Sequence, residues 1–161
     1  MMMRSARGEL LADRGAATVQ GVREGGADMI LTWSDTLSIG HGAIDREHKR
    51  IIDTVARLFL VVPESNMNEE ATQLFGEIID LLGTHFHNEE LVMRVNRYPD
   101  TDTHIKLHGE FFSQLTGLLY LLETGSDRVA QGLIQCVHAW AFDHIMIHDR
   151  RIARYLEANR L

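Results

Sequence analysis

Apolar residues recur at steps of three and four along most of this chain, in four segments separated by turn signals. Pro63, Pro99 and Gly125 stand at the three breaks between these segments. Within each segment the spacing places the apolar residues on one face of a helix. The predicted inner faces consist of Ile44, His48, Ile51, Val55, Leu58 and Val62; of Leu74, Ile78, Leu81, His85, Glu89 and Val92; of His104, His108, Phe111, Leu115, Leu118 and Leu122; and of Leu133, Val137, Trp140 and His144.

The connections between the four predicted helices are short, and this makes consecutive helices antiparallel neighbours. We therefore predict an all-α fold, an up-down antiparallel four-helix bundle, for residues 29–161. Residues 1–28 are rich in Gly, Ala and Arg and contain no aromatic residue, so they can bury little apolar surface. We predict a flexible N-terminal tail there, or else a chain whose true start is Met29.

Composition narrows the choice of partners and of compartment. A formal net charge of -7 argues against nucleic acid as a partner, and no cluster of Lys and Arg overturns this. No run of about 18 apolar residues is present, so we expect neither a membrane span nor a membrane partner. Cys136 is the only cysteine, which excludes an internal disulfide and suits a reducing compartment. We expect a cytoplasmic protein, monomeric by default.

Ionisable side chains interrupt the apolar faces at helical spacing. His85 and Glu89 are four residues apart, so both lie on one face of their helix. His104 and His108 have the same spacing, and histidine also occurs on the first and fourth faces. In an antiparallel bundle these positions can meet at one end. Burying them together without compensation is costly, and a bound cation supplies the compensation.

The residue types indicate which metal would fit. A tetrahedral zinc site needs about four ligands and, in structural roles, favours cysteine, of which the chain has one. Calcium prefers oxygen ligands alone. The ferritin-like di-iron pattern requires glutamate followed by histidine three residues later, and no glutamate here meets this requirement. A mixture of imidazole and carboxylate on bundle helices favours a pair of iron-like ions.

Several stretches resemble the hemerythrin family, specifically its bacterial members: LTWSDTLSIGHGAIDREHKR, HFHNEELVM, the Tyr-Pro pair at 98–99, HIKLH and WAFDHIMIHD. The resemblance covers about residues 31 to 156, and the motifs occur in the family's order and spacing. It implies two non-haem iron ions bridged by hydroxide or oxide. The implied ligands are His104, His108 and His144 on one iron, His48 and His85 on the other, and Glu89 and Asp149 as bridges between them.

Together with the hydroxide or oxide bridge, the implied ligands fill every position of two six-coordinate irons except one, on the iron with two histidines. The resemblance therefore implies reversible dioxygen binding, with dioxygen held as a hydroperoxide, for oxygen storage, delivery or sensing. A partner protein could deliver or receive the oxygen. The lining of the open position would come from Ile51, Phe86, Trp140, Ile145, Met146 and Ile147.

Two other functions use the same residues. One is a di-iron enzyme that acts on peroxide or nitric oxide, which needs a reductant or a polar proton path beside the open position. The other is an oxygen-sensing module for a partner protein. An apolar lining speaks against efficient turnover, so we expect a binding protein and no enzyme.

The fourth segment contains an anomaly of spacing. Asp149 follows His144 by five residues, which is about 140° around a regular helix, whereas His148 has the natural spacing of four. Spacing alone favours His148, and the family resemblance favours Asp149. If a wider helical turn accommodates one extra residue, the inner face continues with Asp149, Ile152 and Leu156. We therefore predict a π-type bulge between residues 144 and 149.

The remaining candidates receive structural interpretations. We predict that His87 and His138 face solvent and that His41 belongs to the entry turn of the first helix. Glu90 would lie at the surface or beside a ligand, and no role is assigned to His148. Packing roles are predicted for Trp33, Phe59 and the buried thiol of Cys136.

Overall fold

The all-α prediction is confirmed. The computed structural model describes residues 32–61, 68–123 and 129–159, so the predicted tail at 1–28 lies outside the described residues. None of the described helices combines the length and the apolar character needed to cross a membrane. In chain order the elements are a short 3-10 turn, Asp35–Leu37; α1, Gly42–Val61; α2, Glu69–Val95; α3, Thr101–Glu123; and a fourth helix made of α4, Val129–Ala139, a π-helical segment, Trp140–Asp149, and α5, Arg150–Ala158.

Neighbouring helices run antiparallel, as the contacts between their ends indicate. Near the start of α1, Glu47 accepts a hydrogen bond of 2.7 Å from the Asn88 amide, late in α2. At the other end, the Asn68 amide, just before α2, donates to the carbonyl of Val61 at 3.0 Å. The third and fourth helices meet in the same sense, through His108 with His144 and Gln114 with Cys136.

The predicted inner faces form the core, with two corrections in α2. Leu82 and Met93 are fully buried, whereas Leu81 and Val92, which were predicted to be buried, are only partly so. All four residues lie at the edges of the apolar stripe, roughly 40–60° from its centre. Spacing alone does not determine which edge faces the bundle, so the sequence left these positions ambiguous. Val62 and the side chain of Leu122 lie outside the described part of the chain.

The fourth helix is π-helical where an extra residue was predicted. The backbone N–H of Arg150 bonds to the carbonyl of Ile145, five residues earlier, which is the hydrogen-bond pattern of a π-helix. The prediction of a π-type bulge between 144 and 149 is confirmed, although the π segment is longer than predicted and begins at Trp140.

The wider turns of the π segment bring the side chains that follow it back to the core face of the helix. Asp149 and Ile152 are 0% and 2% exposed, and Leu156 is partly buried. The predicted resumption of the inner face after the bulge is therefore confirmed. With regular α-helical winding, the same rotation would have turned Arg151 toward the core, and Arg151 is in fact exposed.

The turn from α2 to α3 is tight and carries one unusual backbone conformation. The N–H of Tyr98 bonds to the carbonyl of Met93 at 2.9 Å, a hydrogen bond typical of a helix that ends in a left-handed residue. That residue is Arg97, with φ of 55°. The hydroxyl of Tyr155, in α5, donates to the carbonyls of Asn96 and Arg97 at 3.2 and 3.0 Å. The end of the fourth helix thus holds the turn in place.

The segment before α1 is tied to the start of that helix. The Asp45 carboxylate accepts hydrogen bonds from the Ser38 hydroxyl at 2.7 Å and from the Ile39 N–H at 2.8 Å. The carbonyl of His41 accepts from the N–H of Asp45 at 2.9 Å, so the prediction that His41 belongs to the entry turn is confirmed. Leu37 is buried in the core and anchors the segment.

We expect the substitution Arg97→Gly to raise the free energy of unfolding by about 0.5–1 kcal/mol, because glycine adopts positive φ without a Cβ clash. Urea unfolding followed by circular dichroism measures this. Arg97→Ala is the matched control, since it removes the same long side chain and keeps the Cβ. An equal gain in both variants would show that the arginine side chain, and not the backbone conformation, is responsible.

Candidate metal centre

Seven ionisable side chains from all four helices converge inside the bundle. None of them is more than 6% exposed. Every metal-ligand position predicted from the sequence is among them, and they form two adjoining groups that share one residue. The seven are His48 from α1, His85 and Glu89 from α2, His104 and His108 from α3, and His144 and Asp149 from the π segment.

The first group consists of Glu89, His104, His108 and His144, whose potential ligand atoms all lie within 4.8 Å of one another. Oε2 of Glu89 lies 3.1 Å from Nε2 of His104 and 3.1 Å from Nε2 of His108. Nε2 of His144 lies 3.1 Å from Nε2 of His108. Three imidazole nitrogens and one carboxylate oxygen are thus close enough to bind a single ion.

The second group consists of His48, His85, Glu89 and Asp149. Nε2 of His48 lies 3.3 Å from Nε2 of His85 and 3.2 Å from Oδ2 of Asp149. The other oxygen of Asp149, Oδ1, lies 3.1 Å from Nε2 of His144 in the first group. The two oxygens of Asp149 therefore face histidines of different groups.

Several polar atoms at the centre lack a hydrogen-bond partner despite their burial. Oε1 of Glu89 and both side-chain oxygens of Asp149 are in this state, as is Nδ1 of His48. The Asp149 oxygens are near histidine nitrogens, but their alignment does not make a hydrogen bond. Buried polar atoms without partners are costly, and bound cations would satisfy the carboxylate oxygens. The donor set, imidazole with carboxylate, fits a pair of iron ions.

The two carboxylates of the centre are held ionised. Burial by itself would raise the pKa of Glu89, but hydrogen bonds from His104 and His108, together with the nearby His144, outweigh it and keep that pKa well below its usual value. For Asp149, burial and the charge of Glu89 raise the pKa, while His144 and His104 lower it by more. Both carboxylates are therefore negatively charged at neutral pH.

The histidines respond to these charges in different ways. Burial lowers the pKa of His144, but the charge of Asp149 overcomes this effect and raises the pKa to about 9. The pKa of His104 is also raised, by Asp149 and Glu89 against burial. For His85 burial prevails, and its pKa is lowered. Without metal, His144 is thus protonated at neutral pH, and a metal ion must displace that proton.

One residue that contacts the centre was missed by the sequence analysis. Glu47 lies 3.2 Å from Nδ1 of His85, on the side of the ring away from the second group, and the Asn88 amide donates to its other oxygen at 2.7 Å. Glu47 immediately precedes His48 and lies off the predicted inner face of α1. Because its contact is with another helix, periodicity within α1 could not have indicated it.

Glu90 has a similar position beside the first group. Its Oε1 lies 3.1 Å from Nδ1 of His108, and its Oε2 lies 3.4 Å from the guanidinium of Arg94. The ring of Phe86 stacks on the ring of His108, with centroids 4.0 Å apart and an angle of 12°. Of the two predicted positions for Glu90, surface or beside a ligand, the structure shows the second.

Four of the six predicted lining residues are buried in the core, and the rings of two of them lie near the histidines of the second group. Ring centroids of Trp140 lie 5.8 Å from His48 and 5.9 Å from His85, and Phe86 lies 5.5 Å from His85. Ile51 and Ile145 are fully buried in the same core, and Met146 is partly buried against it. Ile147 is 45% exposed, so its side chain does not fit an enclosed lining. The π segment turns Ile147 outward when it brings Asp149 inward.

The remaining histidines whose side chains the structure describes lie outside the two groups. His87 is exposed, as predicted. His148 is partly buried, with its ring centroid 5.7 Å from His144 and 6.2 Å from His104. The side chain of His138 lies outside the described residues. Cys136 is a buried thiol, as predicted, and burial raises its pKa to about 11.

Comparison with known proteins agrees with this geometry. The protein-family model described as the hemerythrin HHE cation binding domain matches residues 40–156 of the sequence. The bacteriohemerythrin of Stenotrophomonas maltophilia (strain R551-3) is 29% identical over 131 residues, 81% of this chain and 84% of that protein. That of Pseudomonas paraeruginosa (strain DSM 24068 / PA7) is 28% identical over 130 residues, 81% of this chain and 82% of its own.

A myohemerythrin is also similar. The myohemerythrin of Theromyzon tessulatum is 25% identical over 113 residues, which cover 70% of this chain and 82% of that protein. The family match spans all four helices and both groups of buried ligand atoms. The chain therefore belongs to the hemerythrin HHE cation binding domain family.

Proposed function

We propose that this protein binds dioxygen reversibly at a di-iron centre formed by the two buried groups. The observation that carries the proposal is that two groups of ligand atoms adjoin each other, share Glu89, and differ in their number of histidines. A centre with three histidines on one side and two on the other leaves room for an external ligand on the poorer side.

The proposed ligands follow from the contacts of each side chain. His104, His108 and His144 would hold one ion, and His48 with His85 would hold the other. Asp149 would bridge the ions, which is supported by its two oxygens facing His48 and His144 at 3.2 and 3.1 Å. Glu89 would be the second bridge, since it belongs to both groups and its Oε1 has no hydrogen-bond partner.

Two ferrous ions would supply the two electrons that dioxygen accepts and later returns. The protein has to position the ligands and keep water away from the open side. We assign the second purpose to Trp140, Phe86, Ile51 and Ile145, which are at most 5% exposed. The ring of Trp140 lies 5.8 Å from that of His48, and the ring of Phe86 lies 5.5 Å from that of His85. Exclusion of water slows the loss of electrons and of reduced oxygen species.

The buried lining favours binding over turnover. The four buried residues of the predicted lining are aliphatic or aromatic, so they offer little to relay protons in repeated turnover of peroxide or nitric oxide. We therefore place storage, delivery or sensing of dioxygen before an enzymatic role. A cytoplasmic location, a monomeric state and a partner protein that exchanges oxygen stay predictions.

The protein loaded with iron should contain about two irons per chain and change its visible spectrum reversibly between air and vacuum. Metal analysis and absorption spectroscopy on one anaerobically reduced sample measure both properties. Steady consumption of peroxide or nitric oxide with an added reductant, without a reversible spectral change, would instead favour the enzyme.

Replacing the bridging carboxylate by Asp149→Asn should reduce the iron bound per chain from about two to one or fewer. The reason is that an amide lacks the charge and the second oxygen donor needed between two cations. Asp143→Asn is the matched control: it lies in the same π segment, loses the same charge and is exposed. Two irons in the Asp149 variant would contradict the bridging role.

Iron affinity should rise with pH between about 7 and 9, by about tenfold per pH unit for each proton displaced. The source is His144, whose pKa of about 9 in the metal-free protein means that ferrous iron competes with its proton. Anaerobic titration against a chelator of known pH dependence measures the slope. The same raised pKa stabilises the metal-free fold below pH 6.5, and that contribution is lost as the pH rises through about 9. A flat affinity profile would exclude a proton on His144.

A further inference from the structure

A second line of side chains on α2 runs beside the ligand pair, displaced from it by one residue. His85 and Glu89 belong to the centre. Phe86 directly follows His85, and Glu90 directly follows Glu89. Four residues later on the same line is Arg94, which contacts Glu90 at 3.4 Å. The proposed function assigns no role to Glu90 or Arg94.

Phe86 and Glu90 contact one and the same ring on the neighbouring helix. Phe86 stacks on the face of His108, and Oε1 of Glu90 lies 3.1 Å from its Nδ1. The opposite nitrogen, Nε2, points into the first group and lies 3.1 Å from both Glu89 and His144. The face, the outer nitrogen and the inner nitrogen of the His108 ring thus each have a defined neighbour.

The chemistry of the neighbours determines where the ring carries its proton. Carboxylates face both nitrogens of the ring, Glu90 at Nδ1 and Glu89 at Nε2, each at 3.1 Å, and a carboxylate oxygen only accepts hydrogen bonds. A cation bound at Nε2 leaves the ring its hydrogen on Nδ1, where it is donated to Glu90. In the neutral ring that form leaves the lone pair on Nε2, which is the nitrogen that faces the first group. The guanidinium of Arg94 lies 3.4 Å from Oε2 of Glu90 and limits the movement of that carboxylate.

We propose that Glu90 is a positioning residue for His108: it fixes the tautomer and orientation in which Nε2 binds the ion of the first group. Phe86 holds the plane of the ring, and Arg94 holds Glu90. The inference rests on the proposed function, since it assigns His108 as a ligand. It adds a residue outside the ligand set, on which the strength of the three-histidine side depends.

The test compares Glu90→Gln and Glu90→Ala with the wild-type protein, each loaded with zinc, which is diamagnetic. Chelator competition measures zinc affinity, and ¹⁵N chemical shifts of the histidine rings report the tautomer of His108. Glu70→Gln is the matched control, because Glu70 lies on the same helix, loses the same charge and is exposed. Circular dichroism of the metal-free variants verifies that each one folds.

We expect zinc to bind about 10–100-fold more weakly in Glu90→Ala, the range typical for loss of a carboxylate behind a histidine ligand. Glu90→Gln should lie between this variant and the wild type, since its amide oxygen still accepts a hydrogen bond but carries no charge. In Glu90→Ala the ¹⁵N shifts of metal-free His108 should show a larger share of the form with hydrogen on Nε2. Arg94→Met should weaken binding less than Glu90→Ala does.

Outcomes separate this inference from the function on which it rests. Equal zinc affinity and an unchanged His108 tautomer in both Glu90 variants would overturn the positioning role, while two irons per wild-type chain would still support the centre. A wild-type chain that binds neither zinc nor iron contradicts both proposals. A loss of folding stability in Glu90→Ala with no change of tautomer or affinity would assign Glu90 to the fold alone.

Discussion

Two ionised carboxylates buried among five histidines dominate the interior of this bundle. Glu89 and Asp149 are at most 1% exposed, and three of their four oxygens have no hydrogen-bond partner. Buried charges without compensation are among the most costly features a fold can contain. The histidine protons offset part of this cost in the metal-free protein, as the raised pKa of His144 indicates. The bundle is thus a scaffold that holds two buried carboxylates and five histidines in positions where cations can bind.

The bundle meets this requirement with an irregular helix. A regular α-helix would place His144 and Asp149 on different faces, because a spacing of five residues separates their side chains by about 140° around the helix. The π segment brings both side chains into the same centre, and both are buried there. It also displaces Ile147 to the surface. A local cost in backbone geometry thus provides an additional carboxylate at the site, and such winding is frequently associated with functional sites.

Most of the fold and of the site could be predicted from periodicity, because the helices are long and the connections between them short. The pairs His85 with Glu89 and His104 with His108 follow directly from spacing. Asp149 could not be derived in this way, and its assignment needed the family resemblance together with the resumption of the inner face at Ile152. The choice between Leu81 and Leu82 at the edge of the α2 stripe depends on how the helix is rotated in the bundle.

Contacts between helices were harder to predict than positions within them. Glu47 lies off the inner face of α1, and its partner His85 is on α2. The sequence left Glu90 either at the surface or beside a ligand, because its contact with His108 crosses from α2 to α3. A single sequence without homologues contains no signal for such pairs, since they depend on rotation and axial offset between helices. Residues that support ligands from a second helix are therefore the part of a metal site that spacing alone conveys least.

The hydrogen bonds from Tyr155 to the α2–α3 turn make the position of that contact depend on the π segment. Tyr155 lies in α5, so the winding of residues 140–149 sets where its hydroxyl arrives, at the carbonyls of Asn96 and Arg97. An insertion or deletion within that stretch would shift Asp149 and Tyr155 together. Two requirements thus constrain the length of this segment. One is the position of Asp149 in the centre, and the other is the contact of Tyr155 with the α2–α3 turn.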